Sequence, residues 1–147
     1  MRIEKYYSKK GHIPSTYVPF RNTHILSIAT SWAEVIGAGS IFIGAVEQDS
    51  SGYPDCRMAF FKTFNQLIKR GTKPDTRITV KTPLIKLKKR DIVLKARELN
   101  APLHLTWSCY EKSTKACGAC ESCRLRLKGF KEAHLKDPIP YENPVYK

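Results

Sequence analysis

Four of the five cysteines in this chain fall inside one short stretch, "CYEKSTKACGACESCR", residues 109–124. Cys109, Cys117, Cys120 and Cys123 form the pattern C-x7-C-x2-C-x2-C. Four thiolates at such spacing suit zinc, which takes a closed tetrahedral sulfur shell with no coordination position left for a substrate. The x2 intervals let the loop curl so that its sulfurs face one centre, and Gly118 can take a positive φ directly after a ligand. Lys112, Lys115 and Arg124 are placed to offset the negative charge of a zinc tetrathiolate. Iron–sulfur proteins also use C-x2-C-x2-C, but with a fourth cysteine followed by proline, whereas here the fourth lies upstream and no C-P occurs. Four unliganded buried thiols in so short a span are the poorest reading. The expectation is a structural zinc site that fastens the C-terminal segment and leaves chemistry to other residues.

Those other residues lie in "EQDSSGYPDCR", residues 47–57, which follows the apolar run "IFIGAV". Ligands of open α/β sheets bind beyond the carboxyl ends of strands, so this loop is a candidate substrate wall. Asp49, Ser51, Tyr53, Asp55 and Arg57 offer carboxylates for the donor edges of a heterocycle and a guanidinium for a carboxylate or phosphate. Asp55 and Arg57 are the candidates closest to chemistry. Gly52 and Pro54 would fix the turn. An equal alternative makes Asp55 a helix N-cap and Arg57 its solvated neighbour. Cys56 has no activating base nearby in sequence and reads as a small core residue. His12, His24, His104 and His134 show neither metal nor triad spacing, and Gly37-x-Gly39 is too little for a phosphate loop.

The elements that would position these residues alternate between helix and strand. "THILSIATSWAEVI" (23–36) is apolar around most of its circumference. It reads as a helix buried on more than one side, capped at Asn22 or Thr23 and ended by Gly37 and Gly39. "IFIGAV" (41–46) and "RITVKTPL" (77–84) read as strands of a parallel sheet, with a helix from Asp55 to about Arg70 between them. "KKRDIVLKAREL" (88–99) is a further helix, and "LHLTW" (103–107) a third short strand. "ESCRLRLKGFKEAHL" (121–135) closes the set as a helix with Leu127, Phe130 and His134 on one face. The organisation expected is an extended lead-in at 1–22, an α/β part at 23–108, a cysteine segment with its helix at 109–135, and a Pro-rich tail at 136–147.

Strand–helix alternation implies an α/β fold with a parallel sheet and helices on both faces. Two or three strands make a thin sheet, so the chain reads as part of a domain. Its 147 residues carry 26 basic and 13 acidic groups, a net charge of +13. That field suits polyanions such as nucleic acid, or phosphate-bearing small substrates. No apolar run is long enough for a transmembrane helix, and "MRIEKYYSKKGH" has no signal-peptide core. The expectation is a cytoplasmic protein without a membrane partner, where clustered cysteines bind metal more often than they form disulfides.

Four stretches, "STYVPFRNTHILSIATSWAEVIGA", "DSSGYPDCR", "TPLIKLKKRDIV" and "LTWSCYE…ACGACESCRLRLKGF", together resemble the 7-cyano-7-deazaguanine synthases, members of the PP-loop (N-type ATP pyrophosphatase) superfamily. The likeness runs in order across residues 15–142. It implies a partial PP-loop, adenine-nucleotide alpha-hydrolase-like sheet. It also implies ATP-dependent conversion of 7-carboxy-7-deazaguanine and ammonia to 7-cyano-7-deazaguanine (preQ0), in queuosine and related deazapurine biosynthesis. ATP with Mg²⁺ would be the co-substrate and Zn²⁺ the structural ion, on Cys109, Cys117, Cys120 and Cys123. Arg21 and Asn22 match the family's "RN" and should face the nucleotide. Ser51 to Arg57 match its "SGYPDCR" loop, expected near the deazapurine. The family's Ser-Gly-Gly-x-Asp-Ser phosphate loop has no counterpart in the chain. Three readings follow: a synthase completed by an N-terminal half, the non-catalytic half of a split synthase, or a zinc-stabilised basic RNA-binding module. A homodimer is the other partnership the resemblance leaves open.

Overall fold

A computed structural model describes residues 17–47 and 52–142. Contacts divide them into two units, one up to Lys86 and one from Leu87 onward.

The first unit begins with α1 (Arg21–Val35), followed by strand β1 (Ser40–Phe42), a 3-10 turn (Pro54–Cys56), helix α2 (Met58–Gly71) and strand β2 (Thr79–Lys81). The strands pair in parallel with Ile41 opposite Val80, and flanking bonds from Ile43 N to Lys81 O (3.1 Å) and Glu47 N to Ile85 O (3.0 Å) lengthen the contact. The fully laddered part is shorter than either apolar run. α2 has a clean apolar stripe, so Phe61, Phe64 and Ile68 are buried with Val80, Ile78 and Ile85. Asn65 completes the fit. Its Nδ2 donates to Val80 O (3.1 Å) and its Oδ1 accepts from Val80 N (2.7 Å), closing the outer edge of β2 as a neighbouring strand would.

α1 departs from expectation at both its start and its faces. Position 20, not Asn22 or Thr23, precedes the helix, with Phe20 at φ 57°. Asn22 lies in the first turn, where a residue distant in sequence takes up its backbone N–H. Only Asn22, Leu26 and Ala33 of α1 are buried, while Ile25, Ile28, Trp32, Val35 and Ile36 are exposed. The end is as expected: Gly37 at φ 69° lets Ala38 N reach Ala33 O (2.8 Å), the six-to-one bond of a Schellman cap. Among the described residues, helices cover one face of the sheet rather than two. The opposite face, carrying Phe42, Thr79 and Lys81, is exposed.

The second unit holds α3 (Lys89–Glu98), a 3-10 turn (Leu103–Leu105) and α4 (Glu121–Glu132). α3, which the sequence groups with the α/β part, packs on α4. Gly129 allows this approach: a Cβ there would lie 2.8 Å from Lys89 Cβ and 3.1 Å from its carbonyl carbon. Val93, Phe130 and Ala133 fill the contact. "LHLTW" is not a strand. Leu105 N bonds to Pro102 O (2.9 Å), and the proline starts a tight turn where no strand among the described residues pairs with it. His134 does not extend the face of α4. It sits exposed at φ 54° and ends the helix, with Leu135 N on Phe130 O (3.0 Å). The tail is docked as far as Glu142: Ala116 N bonds to Pro140 O (2.9 Å) and Glu142 N to Ala116 O (3.0 Å).

Candidate metal centre and acceptor wall

The four cysteine sulfurs all lie within 4.8 Å of one another. Zn–S bonds of about 2.3 Å in a tetrahedron separate sulfurs by roughly 3.8 Å, and Cys117 Sγ stands 3.9 Å from Cys123 Sγ. The donor set therefore fits a closed metal site. Local chemistry explains how the loop reaches it. Gly118 takes φ 71°, and the turn it makes points Ala119 N (3.4 Å) and Cys120 N (3.3 Å) at Cys117 Sγ. Cys117 N points at Cys109 Sγ (3.4 Å). Cys120 occupies the N-cap of α4 and Cys123 its first turn, so the positive end of the helix faces the sulfurs.

The thiols are not equivalent. Burial pushes Cys109 up, but backbone N–H groups of Cys117, Glu111 and Lys112 outweigh it and lower the thiol to about 7. Burial raises Cys123 and Cys117, so each releases its proton to solvent readily only when a metal cation binds the thiolate. Of the cations expected to offset the charge, Lys112 pairs with Glu142 at 3.1 Å, and Lys115 and Arg124 are exposed.

A charged clasp holds the tail against this loop. Asp137, whose side chain is 0% exposed, accepts Arg126 Nε at 2.6 Å and Nη2 at 2.9 Å. It also accepts Tyr141 Oη (2.8 Å) and Ile139 N (3.2 Å). Arg126 donates onward to Thr106 Oγ1 (2.7 Å) and Leu103 O (3.3 Å). Ile139 thereby packs on Cys109, Ala116 and Cys123. Nothing in the spacing of these residues announces the clasp. A buried Asp eleven positions beyond an Arg is a tertiary pairing.

In the first unit Arg21 and Asn22, expected on the nucleotide side, lie against Tyr53 and Asp55 of the expected substrate wall. Asp55 Oδ2 accepts Asn22 N (3.0 Å), and Asn22 Nδ2 donates to Asp55 O (2.8 Å) and to Cys56 Sγ (3.4 Å). Both residues are buried. Asp55 is thus a cap, but of α1 rather than of its own helix, where it satisfies an otherwise orphan donor. The Arg21 guanidinium lies 5.9 Å from the Tyr53 ring centre, and the Tyr17 ring 5.6 Å from it. Arg57 is exposed at the start of α2. Asp49 and Ser51 lie outside the described residues.

The model of the family "Queuosine biosynthesis protein QueC" matches residues 1–134. The chain belongs to the QueC family. Curated relatives named 7-cyano-7-deazaguanine synthase include that of Chloroherpeton thalassium, 59% identical over 143 residues, covering 97% of this chain and 62% of the relative. The Acidobacterium capsulatum protein is 64% identical over 131 residues, covering 89% and 57%. That of Chlorobium phaeobacteroides strain DSM 266 is 61% identical over 130 residues, covering 88% and 58%. The chain therefore spans about three-fifths of the length of these QueC-family relatives. None of the described helices is long and apolar enough to cross a membrane.

Proposed function

We propose that this chain is the acceptor-binding and metal-bearing portion of a 7-cyano-7-deazaguanine synthase. It would act in the ATP-dependent conversion of 7-carboxy-7-deazaguanine and ammonia to 7-cyano-7-deazaguanine. Family membership and the names of the relatives support the reaction. The observation that carries the assignment to these residues is the Asn22–Asp55 clasp. It ties the segment expected at the nucleotide to the one expected at the deazapurine, across 33 positions.

In this reading each residue has a separate task. Tyr53, backed by Tyr17, offers a flat apolar surface to a heterocycle. Arg21 and Arg57 offset the repulsion between an acceptor carboxylate and the phosphates of Mg²⁺-ATP, because fixed positive charge lowers the barrier to bringing two anions together. Asp55 is a positioning residue, which holds the loop on α1. Asp49 and Ser51 remain assigned to the acceptor side. Zinc, when bound, supplies a fixed cross-link among Cys109, Cys117, Cys120 and Cys123 and takes no part in the reaction. Asn22 is buried with its donors taken by Asp55 and Cys56, so of the nucleotide-side pair only Arg21 is left to face ATP, and the other contacts to ATP are assigned to the share of the relatives' length that the chain does not span. The protein would work in the cytoplasm.

Calorimetric titration of the zinc-loaded chain with 7-carboxy-7-deazaguanine tests the acceptor wall. One saturable site is expected, with Tyr53→Leu and Arg57→Ala each weakening it about tenfold or more at unchanged zinc content. Equal affinity in both variants would remove the wall. Binding of RNA that collapses with added salt, and none of the deazapurine, would favour the basic RNA-binding module instead.

A further inference from the structure

The four cysteines are placed by two different kinds of structure. Cys120 caps α4, Cys123 lies in its first turn, and the Gly118 turn brings Cys117 against Cys120, so three sulfurs share one local frame. Cys109 comes from outside that frame, with seven residues between it and Cys117. Residues 107–115 belong to no helix or strand, and their backbone makes no hydrogen bond to other backbone groups of the described residues. A segment without such bonds loses conformational freedom when a ligand fixes it. That loss weakens binding unless something has fixed the segment beforehand.

Trp107 supplies the fixing. Its indole Nε1 donates to two carbonyls, Cys109 O (3.1 Å) and Lys112 O (3.0 Å). The indole thereby orients the first and last peptide units of the 109–112 bend. The two units between them point the N–H groups of Glu111 and Lys112 at Cys109 Sγ, which also accepts Cys117 N (3.4 Å). An indole is a rigid ring with one donor and no acceptor, so it holds both carbonyls without competing for the metal or for the amides. A further polar tie of the segment lies at the surface. Lys112 Nζ pairs with Glu142 at 3.1 Å, both side chains are exposed, and such a pair fixes little.

We infer that Trp107 is a positioning residue of the metal centre: its indole N–H, shared by the carbonyls of Cys109 and Lys112, holds Cys109 Sγ where the other three sulfurs meet it around one divalent, thiophilic cation. The inference rests on the metal-bearing part of the proposed function and is independent of the reaction. Groups that orient a metal ligand without touching the metal are worth about 10–100-fold in affinity. A residue that merely packed would stabilise the metal-free and the loaded chain alike, and would leave that affinity unchanged.

The test measures zinc affinity of the full chain by competition with a chromogenic chelator. Co²⁺ loading accompanies it, because thiolate-to-metal absorption reports how many sulfurs are bound. Trp107→Phe keeps an aromatic ring and removes the donor. Its zinc affinity should fall about tenfold or more, with the tetrathiolate Co²⁺ spectrum and the stoichiometry unchanged. Benzothienylalanine at position 107 keeps the shape of the ring and carries sulfur in place of the N–H. It should show the same loss, and it decides alone where Trp107→Phe does not fold. Trp32→Phe, on α1, should show none. Unchanged zinc affinity without the N–H overturns the inference. So does a loss in Trp107→Phe that the isostere does not share, since the packing of the ring is then responsible. A native chain that takes up neither ion overturns the metal centre itself and the inference with it, whereas native and variant chains that load equally well sink the inference alone.

Discussion

Replacing Asp137 by Asn should be among the most damaging single changes in the second unit. The carboxylate takes two bonds from Arg126, one from Tyr141 and one from Ile139 N, in a place water does not reach. Asn keeps the shape but removes the charge and turns one acceptor into a donor facing donors. Breaking one partner out of a buried ion pair costs about 3–5 kcal/mol, because the other charge is left buried and unpaired. Arg126 keeps its bonds to Thr106 and Leu103, which argues for the lower end, about 3 kcal/mol. In a unit of roughly 60 residues that corresponds to a midpoint lower by ~12 °C or more. Thermal unfolding followed by circular dichroism reads the loss. Zinc release to a chromogenic chelator should quicken in parallel, because the tail that Asp137 holds carries Ile139 onto Cys109 and Cys123. Asp137→Asn combined with Arg126→Met should recover most of the loss, since exchanging both partners for neutral groups removes the stranded charge. A single variant that loses less than about 1 kcal/mol, or a double variant no better than the single, would refute the clasp as the tail's fastening.

Three further changes probe other contacts. Gly129→Ala should destabilise by about 1 kcal/mol net in urea unfolding: overpacking against Lys89 costs about 1–3 kcal/mol, and better helix propensity returns about 1. Asn65→Leu removes both bonds to Val80 and should cost about 2 kcal/mol, with faster hydrogen exchange at Val80. Tyr141 is raised first by burial and then by the Asp137 carboxylate it donates to, so folding selects the neutral phenol. That stabilisation is whole below its ordinary value of 10.0 and is lost as pH rises toward the folded value. Stability of the native chain should therefore fall above pH 10, and Tyr141→Phe should be weaker at neutral pH but flatter in that range.

The parts legible in the sequence are those whose partners lie close along it. The cysteine loop is written in spacings of two and seven residues and in one glycine. The stripe of α2 and the Gly37 stop of α1 are equally local. What stayed hidden depends on distant partners. Asp55 caps a helix that begins 34 positions earlier at Arg21, so no local pattern distinguishes this role from a cap of its own helix. The Asn65 seal on β2 and the Arg126–Asp137 pair are of the same kind. α1 shows a different failure. Its apolar circumference reads as a helix buried on more than one side, whereas only the face of Asn22, Leu26 and Ala33 is buried, because composition cannot tell which face the chain covers itself. "LHLTW" has strand-like residues and, among the described residues, no strand to pair with. Propensity yields there to the turn set by Pro102.

The most direct test of the account is turnover. The zinc-loaded chain, joined to the remaining part of the Chloroherpeton thalassium synthase, is supplied with 7-carboxy-7-deazaguanine, ammonium and Mg²⁺-ATP, and the product is sought by mass spectrometry. The account predicts 7-cyano-7-deazaguanine from the joined protein and a loss of about tenfold or more with Arg57→Ala. No product from a folded, zinc-replete joined protein would contradict it.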